Sequence, residues 1–250
     1  DNTFWIASCT KVSATIIVLQ AVEQGIVGLD SADDVEKFCP ELKTIPIIKE
    51  VGTDGSMTFV PKKNRITLRM LLSHTSGLGY SFFDEKLAQF AGMFGIDELN
   101  LGPPGCEKSP LTFEPGTQWQ YGVGIDWAVN VVTRATGKTF QQLLKERIFD
   151  PLEMTRVSAQ PCKAIKSQLA HLSLRDPKTN KLSQVDHPTI YPLSDDPAIA
   201  ALTYQSGGAG IFAKPSEYVR IFAALLNGGT YAPNGAKLLS GKTVAEMFTN

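Results

Sequence analysis

Phe4-Trp5-Ile6-Ala7-Ser8-Cys9-Thr10-Lys11-Val12-Ser13-Ala14-Thr15-Ile16-Ile17-Val18-Leu19 is the stretch from which the fold of this chain is read. From Thr10 to Gln24 apolar residues (Val12, Ala14, Ile16, Ile17, Val18, Leu19, Ala21, Val22) point in nearly every helical direction, and Gly25 is placed as a C-cap. A helix apolar on all sides belongs in the middle of a protein, so its first turn faces a cleft. At that turn stand Ser8 and Lys11. A hydroxyl and an amine three positions apart share a helix face. Unpaired N–H groups and the positive end of the helix dipole lie beside them. An amine held there can take the hydroxyl's proton, and a backbone N–H can stabilise the oxyanion of an attacked carbonyl. Alone, the pattern S-x-x-K is common: Ser8 reads as a helix N-cap and Lys11 as a solvated side chain.

Working outward, residues 30–66 mix short helical and irregular pieces, with Asp54-Gly55 turning a small hairpin between Val51 and Val60. Thr67 caps a short helix from Leu68 to Ser73, followed by His74-Thr75-Ser76-Gly77. Helices are predicted over Phe82–Phe94, Asp126–Thr136 and Pro215–Leu226, and Thr139 to Gln142 forms a capping box. Gly102-Pro103-Pro104-Gly105 is a loop, Asp176–Lys181 a hairpin turn, and Gly207-Gly208-Ala209-Gly210 a small-residue strand or turn.

Three segments together carry the chemistry: Ser8-x-x-Lys11, Arg65 through Leu78 with its Leu71-Leu72-Ser73-His74-Thr75-Ser76-Gly77-Leu78 core, and Trp119-x-Tyr121-Gly122-x-x-x-Asp126-Trp127-Ala128. In this order and spacing they resemble the serine beta-lactamase-like family, which includes class C beta-lactamases, DD-peptidases, S-x-x-K esterases and fungal acyltransferases. Within it the likeness is to the lovastatin-type acyltransferases, and it runs the length of the chain. The resemblance implies an α/β (α+β) fold of beta-lactamase/transpeptidase type, an antiparallel sheet flanked by helices plus a mostly helical region. Residues 1–30 and 200–250 would form the α/β region and residues 31–199 the helical one. It also implies roles. Ser8 would be the acylated nucleophile, Lys11 its activating base, and Tyr121 a second acid/base for the leaving group and the acceptor. The backbone N–H of Ser8 would form half of an oxyanion hole. An ordinary lysine, with a pKa of ~10.4, is a poor base near neutrality, so its surroundings would have to lower that value.

Two departures from the family pattern shape the expected chemistry. Penicillin-recognising members carry an asparagine two places after the tyrosine; Val123 stands here, which favours an ester or thioester over a beta-lactam. The family's third motif, on a strand that supplies the second oxyanion donor, is absent: Lys43-Thr44, Lys138-Thr139 and Lys242-Thr243 are all followed by apolar residues. With Asp1 rather than Met at the start, the chain reads as an internal segment, incomplete in its sheet. We therefore expect the isolated 250-residue chain to be unstable and inactive, with part of the apolar helix exposed.

The function implied is acyl transfer from an ester or thioester to water or a small-molecule alcohol, without a cofactor. An acyl-carrier protein or acyl-coenzyme A is a candidate donor. The alternatives are a beta-lactamase or DD-peptidase-like hydrolase, and a catalytically inactive binding or scaffold homologue. Trp119, Val123, Gly207 and Gly208 are candidate substrate-binding residues, and Phe82, Phe83, Trp119 and Trp127 candidate apolar walls. His74 reads as structural, since the S-x-x-K arrangement already supplies a base, and Cys9 as a small core residue.

Composition limits the other classes. Lys and Arg number 24 against 25 Asp and Glu, with no basic stripe for nucleic acid. Hydrophobic residues make up 43%, enough for a substantial core, but no uninterrupted apolar run approaches the length of a membrane span. Four widely spaced cysteines and three histidines show no metal-ligand spacing. Cys9 inside the motif favours reduced thiols and a cytoplasmic setting, with a secreted one left open.

Overall fold

The computed structural model describes residues 2–249 apart from 53, 101–105, 190 and 201; the loop expected at 102–105 lies outside the described residues. Phe4–Trp5 (β1) leads through a 3-10 turn, Ala7–Cys9, into the apolar helix Thr10–Glu23 (α1). Short helices Ala32–Phe38 (α2) and Glu41–Thr44 (α3) precede the hairpin Pro46–Val51 (β2) and Met57–Pro61 (β3). Leu68–Leu72 (α4), Glu85–Phe94 (α5), Gly124–Thr136 (α6) and Phe140–Leu144 (α7) follow. After Val157–Ser158 (β4) come Lys163–Lys166 (α8), the hairpin Leu172–Arg175 (β5) and Leu182–Val185 (β6), and Pro197–Ala200 (α9). The chain closes with Phe212–Ala213 (β7), Pro215–Leu226 (α10), the pair Thr230–Tyr231 (β8) and Ala236–Lys237 (β9), and Gly241–Met247 (α11).

Local chemistry explains the element starts. Thr67 accepts from the Met70 N–H, and Asp84 from those of Lys86 and Leu87, so α4 and α5 begin on side-chain caps. Asp84 also moves the start of α5 three residues past Phe82, because Ser81–Phe83 form a separate 3-10 turn. Thr139 and Gln142 make the reciprocal capping box of α7, and Gly137 ends α6 at φ +69°, a conformation that costs glycine little.

Most of α1 is enclosed by the core. Ile16, Ile17, Val18 and Ala21 have no exposure, packed with Trp127, Val131 and Val132 of α6 and Leu143 and Leu144 of α7. Burying each large aliphatic side chain contributes about 1.5–3 kcal/mol. The expectation that this chain leaves the helix's apolar face bare therefore fails for these residues: α6 and α7 cover them. A groove of about 330 Å³ runs along Val12, Thr15, Leu19, Leu29, Leu72 and Met247.

One small antiparallel sheet carries the site. Its central strand β7 pairs on one side with β1 (Phe4 with Ala213, Trp5 with Phe212) and on the other with β4 (Val157 with Ala213, Ser158 with Phe212). A strand from the 31–199 stretch thus joins the same sheet as the chain start, and that stretch also holds the β2–β3 and β5–β6 hairpins.

Candidate active site

Ser8 sits in the 3-10 turn that feeds α1, one step before the helix proper. Ala7, immediately before it, has φ +44°, a left-handed backbone that a residue with a Cβ adopts only under constraint. That constraint is visible. Ile6 N–H bonds the Ile211 carbonyl at 3.0 Å, Trp5 Nε1 bonds the Ala209 carbonyl at 2.6 Å, and Ile211 N–H bonds Thr10 Oγ1 at 3.0 Å. The serine turn is stitched on both sides to residues 209–211. The strain lifts Ser8 into solvent while Lys11, one turn on, is buried.

Lys11 Nζ donates to three oxygens: Ser8 Oγ at 3.3 Å, Tyr80 Oη at 3.3 Å and the Gly208 carbonyl at 2.9 Å. It also lies 4.6 Å from the centre of the Tyr121 ring, a cation–π contact. Tyr121 Oη donates to Ser8 Oγ at 2.6 Å. The tyrosine is held by the turn ahead of α6. Gly122, next in sequence, packs so tightly on the 78–79 backbone that a Cβ would stand 1.9 Å from the Leu78 carbonyl oxygen. The three residues singled out from sequence thus meet at one oxygen.

Tyr80 was not legible as part of this cluster: it belongs to no spacing motif and reaches Lys11 only through the fold. Buried at 4% exposure, it stacks on Phe82 at 4.7 Å, and burial drives its phenol far above the usual tyrosine range. Phe82 and Phe83 themselves stand largely exposed beside it, Phe83 6.3 Å from the Tyr121 ring.

His74 packs 4.8 Å from the Tyr121 ring, and its Nδ1 accepts from the Gly122 N–H at 3.4 Å. Burial first, and then the Lys11 charge, push its pKa down to about 4. A neutral acceptor bracing the tyrosine turn fits this geometry.

The remaining expectations separate. Trp119 is exposed and meets His74 edge-on at 6.2 Å. Val123 is 2% exposed within the core, so its side chain offers a substrate no open surface. Trp127, read as a cleft wall, is also a core residue, because it lies on the inner face of α6. Gly207 and Gly208 are buried rather than lining an open surface. Gly207 lies against Val129 and the Ile125 carbonyl of α6, and Gly208 supplies the carbonyl held by Lys11. Cys9 is exposed, not a core residue, because the turn carrying Ser8 outward carries it too; all four cysteines are free thiols.

The chain has relatives among known proteins. The Beta-lactamase family matches residues 1–250. The chain is 34% identical to a lovastatin esterase of Penicillium rubens over 99% of its own length and 59% of that protein. It is 32% identical to a monacolin J acid methylbutanoyltransferase of Aspergillus terreus over 99% of its length and 57% of that protein. A variant of simvastatin synthase from Aspergillus terreus superposes with a TM-score of 0.83 at 31% identity, over 100% of this chain and 57% of the other. The chain thus spans somewhat under three fifths of the relatives it matches. With the fold, the match over residues 1–250 and a Ser-x-x-Lys turn at the start of the central helix in agreement, the chain belongs to the beta-lactamase family.

Proposed function

We propose that this chain carries the nucleophile and proton-transfer centre of a serine acyltransferase or esterase, acting through an acyl-enzyme on Ser8. The observation that supports this is the convergence of Tyr121 Oη (2.6 Å) and Lys11 Nζ (3.3 Å) on Ser8 Oγ. In this scheme Ser8 Oγ attacks the carbonyl carbon of an ester or thioester, and its proton passes to Lys11 as the new C–O bond forms. Tyr121 gives a proton to the departing alcohol or thiol and regains one from the incoming acceptor, and as the acyl group moves from Ser8 to that acceptor's oxygen Lys11 returns its proton to the freed Ser8 Oγ. Water as acceptor makes the reaction hydrolysis; an alcohol makes it transfer.

The relatives' names, an esterase and a methylbutanoyltransferase acting on monacolin J acid, favour a short acyl group and a small-molecule alcohol over a peptidoglycan peptide. Exposed Phe82 and Phe83 beside Tyr121 suit an acceptor with a broad apolar body. Val123, without an amide, weighs against beta-lactam recognition. An acyl-carrier or coenzyme A thioester is one donor class consistent with the chemistry.

Labelling with a fluorophosphonate tests the centre. The full-length protein carrying this chain should be modified at Ser8, and its Ser8→Ala variant should not be; persistent labelling of that variant would overturn the assignment. Turnover of p-nitrophenyl butyrate without nitrocefin hydrolysis is expected of the full-length protein, and the reverse pattern would favour the lactamase reading.

A further inference from the structure

Behind the proton-transfer centre lies a carboxylate that the scheme above does not use. Asp126, in the first turn of α6, is 2% exposed. Its Oδ1 accepts the Ser206 hydroxyl at 2.6 Å and the Gly208 N–H at 3.0 Å. Ser206 Oγ accepts in turn from the N–H groups of Gly208 (3.1 Å) and Ala209 (2.9 Å). These bonds hold the 206–210 turn with N–H groups toward Asp126 and the Gly208 carbonyl toward Lys11, 2.9 Å from Nζ. Only glycine fits at 208: a Cβ would stand 2.4 Å from Asp126 Oδ2 and 2.8 Å from Tyr80 Oη, the phenol that Lys11 also holds. One glycine-sized space therefore separates the carboxylate from the lysine's partners.

A buried carboxylate without a cation is costly, and so is a buried ammonium without an anion. We propose that Asp126 is ionised and is the buried counter-charge of Lys11, a positioning residue that fixes the ammonium through the Gly208 turn and sets the pH at which Lys11 releases its proton. This rests on the reading of Lys11 as the base for Ser8. Burial leaves the Asp126 carboxyl above the usual carboxylate range, although the Ser206 bond, the Gly208 bond and the Lys11 charge each pull it down in favour of the ionised form. The α6 N-terminus adds a favourable dipole.

The other titratable groups here do not supply this charge. The Tyr80 and Tyr121 rings lie beside Lys11 and His74 feels its charge; Tyr80, Tyr204 and Cys106 feel the charge of Asp126. Burial holds the Tyr80, Tyr204 and Cys106 protons on and keeps His74 neutral above about pH 4. Glu98, on the far side of Tyr80, is engaged by the Ser81 N–H at 2.8 Å and hydroxyl at 3.0 Å.

The test is the pH dependence of Ser8 acylation by p-nitrophenyl butyrate in the full-length protein that carries this chain, with Asp126→Asn. The amide oxygen can accept the same two hydrogen bonds, so the variant removes the charge and leaves the clamp. Without the anion, Lys11 loses its proton more easily, and the acid limb of the acylation rate moves down by about one pH unit. A limb that superimposes on the unmodified chain's overturns the proposal even if the plateau falls. Acylation persisting in Ser8→Ala would instead sink the nucleophile reading, so the two failures are distinguishable. Should Asp126→Asn not fold, the Asp126 carboxyl ¹³C shift in the unmodified chain decides: an ionised signal from about pH 6 to 9 supports the pairing, and a protonated one overturns it.

Discussion

Tyr121 Oη lies 2.6 Å from Ser8 Oγ although 113 residues separate them along the chain. Two glycine-dependent packings make that meeting: Gly122 against the Leu78 carbonyl, and Gly208 between Asp126 and Tyr80. The serine comes from a strained turn and the tyrosine from a braced one.

Removing the phenolic oxygen should therefore leave the fold intact and disable the chemistry. Tyr121→Phe is expected to lower the acylation rate by about 10²–10⁴-fold, the usual worth of a positioned acid/base. Its melting temperature should match the unmodified chain's within a degree or two. Stopped-flow release of p-nitrophenol measures the first quantity and circular dichroism the second; an undiminished rate would exclude Tyr121 from proton transfer.

Glycine substitutions should split by environment. Gly122→Ala places a Cβ 1.9 Å from a backbone oxygen, so it should cost at least ~2–3 kcal/mol and displace Tyr121. Gly92→Ala, in the exposed last turn of α5 with nothing within 4 Å, should stabilise by about 0.5 kcal/mol. Urea midpoints of the two variants provide the comparison.

His74 makes stability depend on pH. Its folded pKa, about 4, lies below the unfolded value near 6.5, so the unfolded chain binds the extra proton between those values. Stability from this group is complete above about pH 6.5 and falls as pH drops toward 4. After a discount for partial exposure the loss is on the order of 2 kcal/mol. His74→Asn keeps an acceptor for Gly122 and tolerates the φ of +59° at this position. That variant should flatten the slope of unfolding free energy between pH 4 and 6.5, and an unchanged slope would assign it to other groups.

Tyr218 ties the start of α1 to α10: its hydroxyl donates to the Cys9 carbonyl at 2.6 Å and lies 3.1 Å from Ser13 Oγ. Tyr218→Phe should cost about 1–2 kcal/mol of unfolding free energy. Because it loosens the helix beneath the serine turn, acylation should slow as well, which the same ester assay reads.

Much of the local structure was legible beforehand. The apolar helix, the Thr67 cap, the Thr139–Gln142 box, the two hairpin turns and the Pro215 helix each rest on interactions within a few residues, which one stretch of sequence displays. The apolar identities of Val123 and Trp127 were equally plain, but not that α6 turns both inward. Cys9 is exposed rather than in the core because it ends the 3-10 turn Ala7–Cys9, a tertiary detail that its neighbours in sequence do not display.

What the sequence by itself determined was the central helix, the presence of Ser8, Lys11 and Tyr121, and the family resemblance that joins them. Helix formation and motif spacing are local properties, readable from side-chain type and order. Only the tertiary structure decided that Tyr80 is a third partner of Lys11, that Gly208 presents a carbonyl rather than a substrate surface, and that Asp126 and Ser206 clamp the turn behind it. Those contacts join residues 69 to 197 positions apart. The strands and glycines that bring them within 3.3 Å belong to no shared stretch of sequence, and their meeting depends on how the sheet packs on α1 and α6.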